Sequence, residues 1–176
     1  MSDWQARLTM VAQAAQAGGA SWVTMVPTSW VGQRGAPADP AGNLRLAEEL
    51  RCMLEENCAG TRYGNRIVML CAGGVTIIVE LHPDGQERIA EAAEHIAGDV
   101  TEERLAAALR APAPSDPDLV IVLGSSTQMP AALVWELAYA ELVFLDAPWS
   151  DLEAEHLEMA IDDFTRRDRR FGGVDS

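Results

Sequence analysis

Short apolar runs of strand length alternate with helix-period segments along this chain, and that alternation constrains its fold more than any other feature. Residues 20–26 form an apolar run ended by Pro27, and residues 118–123, Asp-Leu-Val-Ile-Val-Leu, are apolar at every position after the first. A strand apolar at successive positions has both faces covered, so the two runs read as buried strands. Residues 66–71 and 75–81 are two more strand-like runs, and the Ala72-Gly73-Gly74 between them predicts a hairpin. Residues 142–146 read as another strand. Helical spacing appears in residues 3–16, stopped by Gly18-Gly19, and in 43–56, where Asn43 is a candidate cap. His82-Pro83-Asp84-Gly85 is turn chemistry, followed by a helix to about residue 97. Asp99 with Glu102 resembles a capping box for a helix ending near Arg110, and the three prolines of 111–117 break it. Residues 131–140 read as a helix, and Ser150 with Glu153 as the capping box of a last helix over 151–169. Strands alternating with helices predict an α/β fold, one domain with a sheet flanked by helices.

Charge narrows the partners. The formal net charge is −14, and all 13 basic residues are Arg. Nucleic acid and anionic membrane reward basic patches, so neither is an expected partner. No run approaches the ~20 apolar residues of a membrane span, and MSDWQAR does not start like a secretory signal; the reading is cytoplasmic. Cys52, Cys58 and Cys71 include no CxxC pair, and His82, His95 and His156 have no metal-ligand spacing.

Three places could carry chemistry. Ligands of doubly wound sheets bind beyond the carboxyl ends of strands, which points to the loop after Leu123. It offers Ser125, Ser126, Thr127 and Gln128 without a cation, so a diphosphate would gain little there, and the segment reads as an ordinary polar loop. The second is the C-terminal segment, where Arg166, Arg167, Arg169 and Arg170 are four of the 13 arginines, followed by Phe171-Gly172-Gly173. Arg forks match phosphate oxygens, and glycine lets backbone N–H groups approach an anion. The same residues also suit a helix C-terminus, with cations on the macrodipole and Gly172 as its cap. The third is Glu141, near Glu136: a carboxylate beside a phosphate site can hold Mg²⁺, and a solvated glutamate needs no such role. A Walker loop, a GxSxG elbow and a GxGxxG turn are all absent from the sequence.

Four segments together carry a family likeness. They are Asp118-Leu-Val-Ile, Leu133-Val-Trp-Glu-Leu-Ala-Tyr-Ala-Glu-Leu142, Asp146-Ala-Pro-Trp-Ser-Asp151 and Arg169-Arg-Phe-Gly-Gly173. In order and spacing, residues 117–173 resemble the cis-prenyltransferases, the undecaprenyl diphosphate synthase family. Residues 4–26 resemble that family's helix and second strand less closely. The resemblance implies condensation of isopentenyl diphosphate onto an allylic diphosphate with Mg²⁺, on an α/β fold unlike the Rossmann fold, in dimers.

Departures from the family pattern shape the expectation. Family enzymes begin with a strand leading to an Asp-Gly-Asn-Gly-Arg-Trp loop, whose Asp binds Mg²⁺. This chain starts after that element, so the resemblance implies an N-terminally truncated member. The family's two Arg and one Ser that grip isopentenyl diphosphate fall on Val122, Gln128 and Pro130. Its Asn-Tyr-Gly-Gly-Arg element falls near residues 82–86. Glu141 keeps the position of the metal-associated glutamate. Heteromeric members include a degenerate subunit similar to the Nogo-B receptor, which stabilises a catalytic partner and lends it a C-terminal Arg-x-Gly. That motif is Arg170-Phe171-Gly172 here, with Gly173 beside it. The expectation is a non-catalytic accessory subunit in a heterodimer or heterotetramer, touching an isoprenoid diphosphate whose Mg²⁺ is bound mainly by the partner. A homodimer stays open. A divergent stand-alone prenyl transferase or cyclase, and an isoprenoid-binding protein, are the alternatives.

Overall fold

The strand β4 (Thr76–Glu80) is buried on both of its faces: Ile77, Ile78 and Val79 are each at most 1 % exposed, and Glu80 2 %. The computed structural model describes residues 2–28, 40–82, 84–124, 131–138 and 140–171. Within them, β4 pairs in parallel with β1 (Trp22–Met25) and antiparallel with β3 (Arg66–Leu70), which in turn pairs with β2 (Thr61–Tyr63). The sheet order is β1-β4-β3-β2. A second, parallel pair is formed by β5 (Leu119–Leu123) and β6 (Glu141–Leu145).

Side chains alternate between the faces of a strand, and here the alternation divides a core from a charged face. Ile67 and Met69 of β3 and Ile77 and Val79 of β4 point to one face. There they meet Leu8, Val11, Ala12 and Ala15 of α1 (Ser2–Ala17) and Leu50 and Leu54 of α2 (Pro40–Asn57). Arg66, Ile78 and Glu80 occupy the other face, toward α3 (Gly85–His95) and α4 (Glu102–Arg110). The long α5 (Ala154–Phe171) packs against α1, β5 and β6, adding Leu157 to the core. Trp4 and Trp149 lie with ring centroids 4.8 Å apart, and Arg7 donates to the Trp149 carbonyl at 2.6 Å, fastening α1 to the approach of α5.

The α/β class, the helix flanks and the hairpin of β3 and β4 agree with the sequence. Several details do not. Asn43 lies inside α2 rather than capping it, because the helix starts at Pro40, whose missing N–H costs nothing at a first turn. The cap of α4 is Thr101, whose hydroxyl accepts from Arg104 N at 3.4 Å, two residues beyond the expected Asp99. The last helix starts at Ala154. Ser150 sits instead in a 3₁₀ turn and donates to Asp151, while the His156 ring accepts the Glu153 N–H at 3.1 Å.

The expected helix over 131–140 is replaced by two 3₁₀ turns, Ala131–Leu133 and Glu136–Ala138. The Arg88 guanidinium occupies the Ala132 carbonyl at 2.7 Å, the acceptor that an α-helix would offer to the Glu136 N–H. Gly85 also presses on this segment: a Cβ there would sit 2.6 Å from the Ala131 carbonyl oxygen. β2 escaped the sequence reading because all three of its residues are exposed, although Gly64-Asn65 has the chemistry of a two-residue hairpin turn. β1 and β5, expected to be buried, are only half covered, with Val120 alone buried in β5.

No helix among the described residues is long and apolar enough to cross a membrane. Burial pushes the Cys58 and Cys71 thiols up, and a Cys58 thiolate would raise Cys71 further. A raised thiol pKa leaves less thiolate at neutral pH, and the thiolate is the nucleophile. Iodoacetamide labelling followed by mass spectrometry at pH 7.5 should therefore modify Cys58 and Cys71 more slowly than a free cysteine, with labelling accelerating above pH 9. Truncating Ile77 to Ala should cost about 2–5 kcal/mol in urea unfolding, since the site is closed on all sides.

Candidate functional site

A cavity of about 1430 Å³ opens between β1 and β5. Single ligand pockets usually hold about 300–1,000 Å³, so the space is large for one small molecule. Its walls are mostly apolar: Ala15 of α1 with Ile161 and Phe164 of α5 toward one face, Leu109 of α4 with Ala132 toward the other.

One corner is polar, and the hairpin builds it. Register places Arg66 opposite Glu80, and Arg66 Nε donates to Glu80 Oε2 at 2.8 Å. The same guanidinium donates to the carbonyls of Leu109 and Ala111 at the end of α4. Arg88, from α3, places Nε 3.3 Å from Glu80 Oε2, close enough for ion pairing although outside hydrogen-bond geometry. Its Nη2 donates to Glu136 Oε1 at 3.0 Å. Glu80 also accepts from the His82 backbone N–H at 3.0 Å. Two guanidinium and two carboxylate groups thus neutralise one another in a region where Glu80 is 2 % and Arg88 7 % exposed. Glu136 Oε2, Trp135 Nε1 and Arg88 Nε are buried without a hydrogen-bond partner among the described residues, leaving one acceptor and two donors in this corner.

Sequence reasoning passed over Arg66, Glu80 and Arg88. The hairpin contained part of the signal, since pairing across its short turn brings Arg66 opposite Glu80. Nothing in sequence spacing links Arg88 to Glu136.

The predicted residues are distributed differently. Glu141 opens β6, and its Oε1 accepts from Arg167 Nη1 at 2.8 Å. Arg167 also pairs with Asp163 of its own helix. The Glu141 hydrogen bond, and then the Asp163 charge, raise the Arg167 pKa. Arg166 lies 3.8 Å from Asp162, an exposed i,i+4 pair worth little. Glu136 and Glu141 therefore answer different arginines and do not form a common site. The backbone of Arg170 and Phe171 continues α5. Their side chains, the Arg169 side chain, and the whole of Gly172 and Gly173 lie outside the described residues, as does the loop 125–130.

A resident Mg²⁺ needs several oxygen ligands. Among the described residues no three His, Cys, Asp or Glu side chains gather to hold a metal ion, and the Glu141 carboxylate is already met by a guanidinium. As described, the donor set at Glu141 does not fit such an ion.

Comparison with known proteins places this geometry. Residues 34–172 match the prenyltransferase family profile described as "Putative undecaprenyl diphosphate synthase". The chain belongs to this family. It is 35% identical over 155 residues to isoprenyl transferase 2 of Bradyrhizobium diazoefficiens, covering 82% of this chain and 54% of that protein. It is 40% identical over 115 residues to the ditrans,polycis-undecaprenyl-diphosphate synthase ((2E,6E)-farnesyl-diphosphate specific) of Lactiplantibacillus plantarum, covering 64% of this chain and 40% of that protein. An isoprenyl transferase of Neisseria meningitidis is 35% identical over 103 residues, 56% of this chain and 42% of that protein. The chain thus spans about half the length of the curated relatives it matches.

Arg88 is the joint between α3, the sheet and the 131–138 segment. Arg88→Ala should destabilise the fold by about 3–5 kcal/mol in urea unfolding, because it leaves buried carboxylates short of a cation. Glu136→Gln, which keeps an acceptor for Arg88, should cost less than half of that.

Proposed function

We propose that this family member is a non-catalytic accessory subunit of a heteromeric cis-prenyltransferase, stabilising a catalytic partner and lending it a C-terminal Arg-x-Gly. One observation supports this most directly. The three described arginines lining the cavity, Arg66, Arg88 and Arg110, are each paired with a carboxylate of this chain, namely Glu80, Glu80 with Glu136, and Asp116. A diphosphate entering the cavity would meet cations already neutralised, and diphosphate chemistry depends on uncompensated positive charge where negative charge develops. A partner that brings its own Mg²⁺ and diphosphate ligands supplies what is missing.

In this reading the protein is a single cytoplasmic domain. Arg170, Phe171, Gly172 and Gly173 reach the partner's diphosphate from the end of α5, and the Arg167–Glu141 bond fixes the direction in which that end leaves β6. Mg²⁺ is held mainly by the partner, and Glu141 joins it only by releasing Arg167. The partner is a catalytic cis-prenyltransferase subunit in a heterodimer or heterotetramer, and the substrate is an isoprenoid diphosphate. The catalytic names of the relatives favour a second reading, a stand-alone prenyl transferase with a rebuilt site.

The test combines the purified chain with a catalytic homologue, Mg²⁺ and isoprenyl diphosphates. The chain alone should give no product, and the mixture should exceed the homologue alone. Arg170→Ala should lower the turnover of the mixture by about 10²-fold, the scale of losing one transition-state donor, without weakening co-purification. Undiminished turnover would refute the role of Arg170, and product from the isolated chain would favour the second reading.

A further inference from the structure

Sulfur collects where the end of α2 meets the end of β3. Cys58 directly follows α2, and Cys71 directly follows β3. Thr61 pairs with Val68, so the chain entering β2 runs beside the chain leaving β3 and brings Cys58 alongside Cys71. Side chains two residues apart in a strand share a face, which sets Met69 on the side that Cys71 continues. Cys58, Met69 and Cys71 line one cavity of about 150 Å³, walled on its far side by Leu8 and Ala12 of α1. Met53 of α2 adds a fourth sulfur, its Sδ 3.9 Å from Cys58 Sγ.

The backbone fixes both thiols. Cys58 N and Gly60 N donate to the same Leu54 carbonyl, at 3.2 and 3.0 Å, and Ala59 between them takes a φ of 51°, so the chain turns sharply off the helix. Gly60 permits this turn, because a Cβ there would collide with Ile67 and the Leu54 carbonyl. Cys71 N donates to Val75 O at 2.8 Å, and its own carbonyl accepts from Gly74 N at 3.2 Å. Ligands on fixed backbones keep a binding geometry that mobile loops lose. Both thiols are half-buried, so solvent reaches them. Gln5, Thr9 and Gln13 stand exposed at the rim without charge, and a chain of net charge −14 attracts cations.

Thiols and thioethers also fill cores as ordinary packing. The spacing of these sulfurs and their access to solvent give them a further use. Two sulfurs bound to one ion at about 2.3 Å each stand about 3.8 Å apart when they meet at a tetrahedral angle. The 3.9 Å between Cys58 and Met53 fits that separation. Burial raises the Cys71 thiol and the charge of a Cys58 thiolate raises it further, so the two lie within electrostatic reach. A cation between them removes that repulsion. Thiolate and thioether ligands select soft ions, whereas Mg²⁺ needs oxygen, and no carboxylate lines this cavity among the described residues.

We infer that Cys58 and Cys71, with the thioethers of Met53 and Met69, form a site for one soft monovalent metal ion of the Cu(I) kind. On binding, two S–H bonds break, two protons pass to solvent and two sulfur–metal bonds form, with no change in the oxidation state of the ion. A disulfide would use the same two cysteines, but raised thiols supply little of the thiolate that starts disulfide exchange. The site lies on the core face of the sheet, opposite the Glu80 corner, so the inference holds whichever way prenyl transfer is assigned.

The experiment titrates the full chain, reduced and without oxygen, against Cu(I) held by bathocuproine disulfonate. The chain should withdraw one ion, and its affinity should rise about 100-fold per pH unit near neutrality, because two protons leave for each ion bound. Cys58→Ser or Cys71→Ser should weaken uptake about 100-fold and Met53→Leu about tenfold, on the scale of losses around metal sites. Cys52→Ser, which changes a thiol next to Glu48 on α2, should leave uptake unchanged. A second measurement needs no variant: in the natural chain, Cu(I) should slow iodoacetamide labelling of Cys58 and Cys71 at least tenfold and leave Cys52 reactive. Failure to withdraw Cu(I) overturns the inference, as does equal protection of all three cysteines. It is also overturned if the reduced chain binds no ion while air converts Cys58 and Cys71 to a disulfide.

Discussion

The buried carboxylate of Glu80 is the constraint around which the rest is arranged. A charge that is 2 % exposed survives only with partners, and Glu80 draws them from three directions: Arg66 across the hairpin, Arg88 from α3, and the His82 backbone beyond its own strand. Each partner brings an element with it. Arg66 holds the last carbonyls of α4, and Arg88 holds Ala132 and Glu136. One carboxylate thereby fixes two helices and the 131–138 segment on the face of the sheet opposite the apolar core.

The same arrangement limits what the cavity can do. Arginines on a cavity wall would ordinarily mark an anion site, but a guanidinium held by a buried carboxylate and by backbone carbonyls has few donors left to offer. The family likeness and the local electrostatics therefore point in different directions. The sequence keeps segments characteristic of prenyltransferases, while the described arginines on the cavity wall are matched by carboxylates of the same chain. The Arg167–Glu141 bond, for its part, ties α5 to the start of β6.

Much of the fold was legible in the chain. The hairpin could be read because its two apolar runs are separated by three small residues, and β5 because a run of five aliphatic residues has few alternatives. Helix starts were legible only to within a few residues. Thr101 and Asp99 are both competent caps, and their competition is settled by where Arg104 folds back onto the carbonyls of Asp99 and Ala97. Residues 131–138 misled for a related reason: their sequence suits a helix, and an arginine from a distant helix takes the carbonyl that the helix would need. The Glu141 and Arg167 positions were both noticed, but their mutual bond was not, since 26 residues separate them.

Composition and periodicity by themselves determined the α/β class and the order of most elements, because local patterns of apolar and turn residues report directly on strand and helix; the family came from the resemblance of four segments. Tertiary structure alone decided the pairing of charges and the separation of β1 from β5. Both depend on which surfaces meet across long stretches of chain, and the energy of a charge or of a strand edge is set by those neighbours rather than by adjacent residues.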